Sequence, residues 1–172
     1  MSRLRRGVYP GSFNPPTLGH LAIAQAAVAA HGLDQLDVVM SHQPLAKARV
    51  DRPSFEQRLT ILELSVEQLR GVRALATEHR LIADIADGYD VVVMGADKWA
   101  QINDPAFYTS REHMADCLTR LPQLAVVARG SDPVPVGSRL EVAADIATIS
   151  STSARSGAIR YMTPEARASG LW

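Results

Sequence analysis

Residues 9–20, which read YPGSFNPPTLGH, combine residue types that suit the binding of a phosphate group. Gly11 permits positive φ and lets a ligand approach the backbone, while the prolines stiffen the loop. An apolar helical pattern begins where the loop ends, and the first N–H groups of a helix lack acceptors and carry partial positive charge. Thr17 and His20 add two side-chain donors at that helix entrance. The segment therefore indicates an anion site, with an ordinary strand-to-helix connection as the alternative.

A second group of donors lies in residues 149–155, which read ISSTSAR. Ser150, Ser151 and Thr152 stand at the predicted entrance of another helix, where hydroxyl and free N–H groups can hold phosphate oxygens. Arg155 follows one turn later and can stabilise negative charge. Serine and threonine are also favoured as helix N-caps, so a plain cap is the alternative.

Together the two segments resemble the signatures of the nucleotidyltransferase superfamily, GxFxPxxxGH and ISSTxxR. The first signature is supplied in register by Gly11, Phe13, Pro15, Gly19 and His20. Two matches at opposite ends of the sequence, in the right order, are more specific than either alone. The ATP-binding residues that this resemblance implies are Gly11, Ser12, Phe13, Gly19, His20, Gly95, Asp97, Ser150, Ser151 and Thr152.

The middle of the sequence supplies two further cations. Lys47 occupies the place where similar adenylyltransferases carry a lysine that neutralises phosphate charge, although a surface lysine is the alternative. Arg58 matches an arginine of the family at the start of a helix, and its alternative is an exposed ion pair. The resemblance implies that both contact substrate.

Gly95 and Asp97 directly follow an apolar run that predicts a strand. A glycine there lets a nucleotide approach the backbone, and the aspartate can accept hydrogen bonds from ribose hydroxyls. The alternative is a turn with an Asp cap. Trp99 and either Phe107 or Tyr108 offer ring faces for a stacked base, although aromatic rings near a strand end also pack in cores.

The acceptor of the nucleotidyl group is read from the segments SFEQRLTILELS, GADKW and MTPEARASGLW. They resemble nicotinate-mononucleotide adenylyltransferase, which implies that ATP and nicotinate or nicotinamide mononucleotide give a dinucleotide and pyrophosphate in NAD biosynthesis. Thr17 instead gives the TxGH of phosphopantetheine adenylyltransferase, and Asn14 replaces an acidic residue common in both families. QINDPAFY stands where many relatives carry a tryptophan-rich segment. A cytidylyltransferase and a noncatalytic nucleotide-binding relative stay open as alternatives.

Adenylyl transfer needs alignment and charge stabilisation more than covalent help. A phosphate monoester is largely dianionic at neutral pH, because its second pKa is about 6, so it attacks without a general base. Two anionic groups must nevertheless meet, which favours donors and cations as catalytic groups. The resemblance implies His20, Thr17, Lys47 and Arg155 in that role. Mg²⁺ is expected on the ATP phosphates, and no dense cluster of carboxylate, His or Cys residues predicts a metal site made by the protein.

Composition bounds the function. The 172 residues predict one nucleotidyltransferase domain, with 47% hydrophobic and 21% charged residues. Equal numbers of basic and acidic residues, 18 each, give no reason to expect nucleic acid as a partner, and the large basic chain of an aminoacyl-tRNA synthetase is not matched. The single cysteine, Cys117, and the lack of a long apolar segment predict a cytoplasmic protein without membrane contact. Neither GxxxxGK[ST] nor GxGxxG occurs, and a homo-oligomer stays open.

Alternating β-rich runs and helical patterns must position these residues. They predict an α/β fold, a Rossmann-like doubly wound parallel sheet of five or six strands with helices on both faces. Strands are predicted at 4–9, 36–40, 72–76, 90–94, 123–128 and 144–149. Helices are predicted at 18–31, 54–69, 79–87, 106–121 and 152–161, with a short one after Pro164. Such a sheet binds ligands at the carboxyl ends of its strands, where the candidate residues lie.

Overall fold

Five parallel strands form one sheet in the computed structural model, which describes residues 3–45 and 52–172. The strands are β1 (Arg6–Gly11), β2 (Gln35–Ser41), β3 (Val72–Thr77), β4 (Val91–Gly95) and β5 (Gln123–Val127). Their order across the sheet is β3-β2-β1-β4-β5, and every adjacent pair is parallel. This arrangement confirms the predicted Rossmann-like α/β fold, with five strands.

Eight helices surround the sheet in the described part of the chain. They are α1 (Leu18–His31), α2 (Phe55–Val66), α3 (Ile82–Ile85), α4 (Ala96–Ile102), α5 (Arg111–Thr119), α6 (Ala144–Ala147), α7 (Ser151–Arg155) and α8 (Pro164–Ser169). Short 3₁₀ turns occupy Pro105–Phe107 and Ile159–Tyr161. Helix α1 has the bounds that its apolar pattern predicts, because Thr17 caps its start and Gly32 ends it with a left-handed φ of 56°.

The prediction of a sixth strand at 144–149 is wrong, since α6 occupies most of that segment. The outer edge of β5 is already taken, because Val126 donates its N–H to the carbonyl of Ser138 at 2.7 Å and accepts one from Leu140 at 2.9 Å. Residues 144–149 therefore meet no exposed strand with which to pair, and their alanines favour a helical turn.

Three predicted helices are much shorter than expected, and α4, like α6, lies where no helix was predicted. The segment 79–87 contains only α3, 106–121 contains a 3₁₀ turn and α5, and 152–161 contains the end of α7 and a second 3₁₀ turn. Gly157, with φ 113°, separates the two pieces of the last segment. Helix α4 begins directly after β4 with no side-chain cap, so it lacked a start signal in the sequence.

Apolar side chains cover both faces of the sheet. On one face Val38 and Met40 belong to a buried cluster that includes Ile23 of α1 and Leu62 of α2. On the other face Val39 belongs to a cluster with residues of α3, α4 and β4. Each buried aliphatic side chain contributes about 1.5–3 kcal/mol through burial, and the two layers place helices on both sides as predicted.

The strand order reverses direction next to β1. The chain runs from β1 to β2 and β3 on one side and then crosses to β4 and β5 on the other. Ligands of open α/β sheets bind at such a switch point, beyond the carboxyl ends of the strands. Residues 12–16, after β1, and 96–97, after β4, lie at that place. None of the helices in the described residues has both the length and the apolar character to cross a membrane.

Candidate active site

The loop of residues 12–16, between β1 and α1, is held by its carbonyl oxygens. Donors from three other parts of the chain reach it. Arg58 Nη1 donates to Ser12 O at 3.4 Å, Arg155 Nη1 to Asn14 O, Ser151 Oγ to Pro15 O at 2.7 Å, and Thr163 N to Pro16 O at 3.1 Å. Because its acceptors are engaged by the protein, the 12–16 loop meets a ligand chiefly with donors.

Phe13 is the residue of the 12–16 loop with left-handed backbone, at φ 43°. Its ring is 2% exposed and packs edge-on against Tyr9, with centroids 5.5 Å apart, and against His20 at 4.9 Å. Gly11 does not use the positive φ that it permits. A Cβ on Gly11 would lie 2.6 Å from the Phe13 ring, so the glycine makes room for that ring rather than for a turn. ATP contact by either residue stays a prediction.

Thr17 and His20 form a reciprocal cap at the start of α1. The Thr17 hydroxyl accepts from His20 N at 3.3 Å, and His20 Nδ1 accepts from the Thr17 N–H at 3.0 Å. A neutral imidazole whose Nδ1 accepts carries its proton on Nε2. Thr17 itself has no exposed surface. The geometry thus makes Thr17 the residue that fixes the tautomer of His20, and its direct contact with phosphate stays a prediction.

The two signature segments meet, as the sequence predicts. Gly19, buried in the first turn of α1, faces Ile149, and a Cβ on Gly19 would lie 2.9 Å from Cβ of Ile149. Ser151 at the start of α7 bonds Pro15 of the 12–16 loop. The beginnings of α1 and α7 therefore lie side by side at one edge of the sheet.

The hydroxyls of the second segment have separate tasks. Ser150 is the N-cap of α7 and exchanges hydrogen bonds with Ser153, and its contact with phosphate stays a prediction. Thr152 and Arg155 are exposed, with Arg155 Nη2 3.5 Å from Thr152 Oγ1. Because α7 has only five residues, its macrodipole is small. The guanidinium of Arg155 is the main positive charge at this helix.

Gly95 and Asp97 stand beside a cation that the sequence reasoning missed. Gly95 caps α4, and a Cβ there would lie 2.3 Å from Asp97 Oδ1 and 3.3 Å from Nε of Arg129. Arg129 Nε is buried and has no hydrogen-bond partner among the described residues. The signal was available, since Arg129 follows the carboxyl end of β5 just as Asp97 follows that of β4.

Tyr9 links this pair to the first signature. Its ring centroid lies 6.3 Å from that of His20. The charges of Arg129 and Asp97 both influence the pKa of its hydroxyl. Burial raises the pKa of Tyr9 to about 12, while Arg129 acts in the opposite direction and Asp97 adds to the rise. Tyr9 is therefore neutral near pH 7, and it lies beside His20 within electrostatic range of Arg129 and Asp97.

Arg58 lies inside the protein and not on an exposed helix face, so the ion-pair alternative is wrong. It is 9% exposed, its Nε has no partner among the described residues, and its ring neighbour is Phe55. Burial lowers the pKa of Arg58 from its usual value, and Glu56 partly offsets this effect. Its Nη1 donates to Ser12 O, which places the positive charge of Arg58 next to the 12–16 loop.

The predicted base-stacking residues are fixed by other contacts. Trp99 and Phe107 are partly buried against the core cluster that contains Ile102. Tyr108 donates its hydroxyl to Ile102 O at 2.7 Å. Base stacking by these rings stays a prediction. Lys47 lies outside the described residues, so its role also stays a prediction.

Two surface cavities lie elsewhere. One, of about 320 Å³, is lined by residues of α2 and β3 and includes Glu63 and Glu67. The other, of about 270 Å³, lies beside β3 and α3 and includes Asp84 and Asp87. Neither is lined by the 12–16 loop, and two carboxylates line each of them, against Arg73 in the first and His79 in the second. Arg58, Arg155 and Arg129 lie instead near the ends of β1, β4 and β5.

The chain is similar to known proteins in sequence and in fold. A family model described as cytidylyltransferase-like matches residues 8–157. A protein of Anaeromyxobacter dehalogenans named "Probable nicotinate-nucleotide adenylyltransferase" is 30% identical, with 90% of this chain and 87% of the relative covered.

Two solved structures of Plasmodium falciparum nicotinic acid mononucleotide adenylyltransferase share the fold. The one complexed with NaAD has a TM-score of 0.59 at 14% identity and covers 94% of this chain and 92% of that chain. The one complexed with APC has a TM-score of 0.53 at 15% identity and covers 90% and 83%. At such identities the likeness concerns the fold.

Proposed function

Because the chain belongs to the cytidylyltransferase-like family of nucleotidyltransferases, we propose that it transfers the AMP part of ATP to nicotinate mononucleotide or nicotinamide mononucleotide. Pyrophosphate is released, and the product is the dinucleotide of NAD biosynthesis. The name of the relative at 30% identity supports this acceptor. Residues 1–172 serve as one nucleotidyltransferase domain in the cytoplasm, where Cys117, a buried free thiol, stays reduced.

One observation carries the proposal: the donors of both signature segments converge on the switch point of the sheet. His20 presents a proton on Nε2, Arg155 brings a guanidinium, and both are tied to the 12–16 loop or its flanking cap. The loop itself has its carbonyls engaged by the protein. Such a place attracts a polyphosphate and repels few of its oxygens.

The reaction is a displacement at phosphorus. An oxygen of the mononucleotide phosphate forms a bond to the α-phosphorus of ATP, and the bond to the bridging oxygen breaks, so pyrophosphate leaves with the electron pair. His20 Nε2–H stabilises the charge that grows on the α-phosphate oxygens, and Arg155 and Lys47 neutralise the departing pyrophosphate. Loss of one such donor costs about 2.7–4 kcal/mol of transition-state stabilisation in comparable sites.

The remaining residues bind and orient the substrates. Gly95 admits the nucleotide to the end of β4, and Asp97, which is exposed, accepts from ribose hydroxyls. Arg129, next to both, adds positive charge for phosphate. Arg58 supports the 12–16 loop from inside, and Trp99 offers a ring face for a base.

Mg²⁺ enters with ATP in this proposal. No group of three or more His, Cys, Asp or Glu side chains that could hold a metal ion occurs within residues 3–45 and 52–172. Mg²⁺ commonly binds with nucleotides through phosphate oxygens and water, so the proposal requires no metal site made of protein side chains. When bound, the ion supplies neutralising charge on the phosphates.

A second acceptor is favoured by one feature. Thr17 gives the TxGH pattern that resembles phosphopantetheine adenylyltransferase, and a buried threonine cap distinguishes this chain from relatives with HxGH. Phosphopantetheine is also a phosphate monoester, so the same displacement applies. CTP in place of ATP, and nucleotide binding without turnover, are the other outcomes to be separated.

The deciding experiment measures pyrophosphate release with ATP or CTP against nicotinate mononucleotide, nicotinamide mononucleotide and phosphopantetheine. We expect turnover with ATP and a pyridine mononucleotide, and none without an acceptor. Pyrophosphate release only with phosphopantetheine would show that phosphopantetheine, and not a pyridine mononucleotide, is the acceptor. Release only with CTP would show that the nucleotide donor is CTP and not ATP. Binding of ATP with no release in any combination would show a noncatalytic protein.

His20→Gln is the matched variant for this assay. A glutamine at the third helical position can accept from the N-cap N–H, as Gln57 does from Ser54 at 2.8 Å in α2. The variant thus keeps the cap but loses the imidazole Nε2–H. We expect kcat to fall about 100-fold or more with an unchanged urea midpoint, and unchanged kcat would remove His20 from the chemistry.

A further inference from the structure

The two edge strands of the sheet differ in how their outer sides are covered. At β5, Val126 exchanges backbone hydrogen bonds with Ser138 and Leu140, so this edge is already paired. β3 is the other edge strand, and no strand or isolated bridge in the described ranges lies on its outer side. Proteins commonly protect an open edge with a proline, a bulge or a free charge. β3 contains no proline, and its one charged side chain, Arg73, is paired with Asp37.

Backbone groups stand in a regular row on the outer side of β3. The carbonyl groups of Gly71 and Thr77 accept from β2 and from His42, so these odd-numbered positions face β2. Because the backbone groups of successive residues in a strand point to opposite sides, Ala74 and Ala76 direct their N–H and C=O groups outward. Ala76 is exposed and both side chains are small. A further strand can therefore approach this edge closely and pair with it.

A cavity lies on each side of the open edge. The cavity of about 320 Å³ contains Val72 and Ala74, which pack in the cluster on the α2 face of the sheet. The cavity of about 270 Å³ contains Leu75 and Ile85, which pack in the cluster on the α3 face. Successive side chains of a strand point to opposite faces, so a strand added to β3 places alternate side chains in the two cavities. Main-chain pairing combined with such side-chain pockets is the geometry of β-strand addition.

The charges around the two cavities favour a basic partner. Glu63 and Glu67 are exposed beside the first cavity, and Asp87 is exposed beside the second. Among the residues that the structure describes, none forms a hydrogen bond or ion pair with these three carboxylates. Arg73, the cation of the first cavity, is already paired with a carboxylate of β2, and the second cavity holds the imidazole of His79. Apolar walls with carboxylates at the rim suit lysine and arginine, which have apolar stems and charged heads.

We propose that the edge of β3 binds an extended basic segment of a partner protein, which adds as a further strand and places lysine or arginine side chains in both cavities. Its backbone pairs with Ala74 and Ala76. A second copy of this chain is the poorer occupant, because a two-fold pair of β3 strands sets each acidic cavity against its own copy. Neither cavity is lined by the 12–16 loop, so the inference does not rest on the proposed function.

A blocked, fluorescein-labelled peptide of sequence TVRKVT is the probe, because its adjacent arginine and lysine point to opposite faces of a strand. We expect saturable binding to the 172-residue chain in fluorescence anisotropy, with a Kd of about 100 μM or lower. Ala76→Pro removes an outward N–H and should raise the Kd about tenfold or more, whereas Ala76→Thr keeps that N–H and should stay within about twofold. No saturable binding, or equal binding by both variants at wild-type urea midpoints, would overturn the inference.

Removing carboxylates tests the charge of the partner without altering the backbone of β3. Glu63→Gln combined with Glu67→Gln neutralises the first cavity, and Asp87→Asn neutralises the unpaired carboxylate of the second. We expect each change to raise the Kd of TVRKVT about threefold to tenfold, and the control Glu112→Gln, at an exposed position of α5, to alter it by less than about twofold. The peptide TVEEVT should not bind, and equal affinity for both peptides would contradict the proposed charge of the partner.

Sedimentation velocity of the protein alone tests the other occupant. We expect the wild type and Ala76→Pro to have the same sedimentation coefficient, because the proposed partner is a different protein. A dimer that forms in the wild type and is lost in Ala76→Pro would show that a second copy of this chain occupies the edge of β3, and the proposal would then be wrong.

Discussion

Arg58 carries a positive charge into a part of the protein that is nearly closed to water. The one hydrogen bond of its guanidinium within the described residues is long, at 3.4 Å to Ser12 O, and Nε has no partner among those residues. A buried cation with so few partners destabilises the fold. Its place beneath the 12–16 loop gives a reason for keeping it, because its field acts on any anion bound there.

Replacing Arg58 by methionine should therefore separate stability from binding. Methionine fills a similar volume without charge, so we expect the free energy of unfolding to rise by about 1–3 kcal/mol. The affinity for an ATP analogue with a methylene bridge between its α and β phosphorus atoms should fall several-fold. Urea unfolding and calorimetry give the two quantities, and Arg70→Met, at an exposed site outside the loop, is the control. A less stable variant with unchanged affinity would contradict this view of Arg58.

At the scale of residues, sequence reasoning finds groups that sit in a local pattern. His20 and Arg155 were predicted because each closes a short signature. Arg129 was missed, since what matters about it is a distant neighbour, Gly95. Thr17 was predicted as a site residue, but the sequence did not show that it is buried. Its burial favours a role in positioning His20.

At the scale of elements, the contact between α1 and the segment before α7 brings the two halves of the site together. Gly19 permits this contact, because any side chain there would press on Ile149. A glycine near the start of a helix lowers helix stability by up to about 1 kcal/mol relative to alanine. Its presence in α1 is explained by the close approach of the two segments.

Gly19→Ala should be destabilising in spite of its better helix propensity. The added methyl would lie 2.9 Å from Cβ of Ile149 and 3.3 Å from its carbonyl oxygen, so backbone must move. We expect a loss of about 1–3 kcal/mol from overpacking, and a lower kcat because Ser151 and Arg155 shift with α7. Gln25→Ala, on the exposed face of α1, controls for propensity. A Gly19→Ala protein more stable than the wild type, with full kcat, would refute the tight contact.

The sequence predicted the sheet and α1 well because apolar runs and caps are local signals. It failed where a distant segment decides the outcome. Residues 144–149 alternate acceptably for a strand, but residues 138–140 already line the edge of β5. Helix α4 has no side-chain cap that would indicate its start, and its N-cap Gly95 is also the last residue of β4. Both errors come from tertiary competition that short patterns do not contain.

At the scale of the whole molecule, a buried carboxylate in β2 connects side chains from β1, β2, β3 and the loop before β4. Asp37 of β2 has no exposed surface. Burial is the largest influence on its pKa and would raise it, but hydrogen bonds from four side chains outweigh burial and hold the pKa below its usual value. The four donors are Arg73, Tyr89, Gln35 and Arg6.

The lowered pKa of Asp37 predicts a pH dependence of stability. The unfolded value is about 3.9, so the stabilisation is fully present above that pH and is lost as the pH falls through the lower folded value. Asp37→Asn should lower the free energy of unfolding at pH 7 by about 1.5–3 kcal/mol. Urea unfolding of both proteins between pH 7 and 3 should show the gap closing below about pH 4, with kcat unchanged at pH 7. A gap that widens in acid would contradict the assignment.

The part that residues 151–172 play in holding the 12–16 loop bears on how the protein matures during translation. A nascent chain that extends only through Val127 already contains all five strands. It still lacks the side chains that bind Asn14 and Pro15. Since domains begin to fold while synthesis continues, the sheet can assemble before residues 151–172 emerge from the ribosome, and the 12–16 loop gains these contacts only afterwards. A chain stalled before residue 151 would therefore hold the five strands but not the contacts that fix the 12–16 loop.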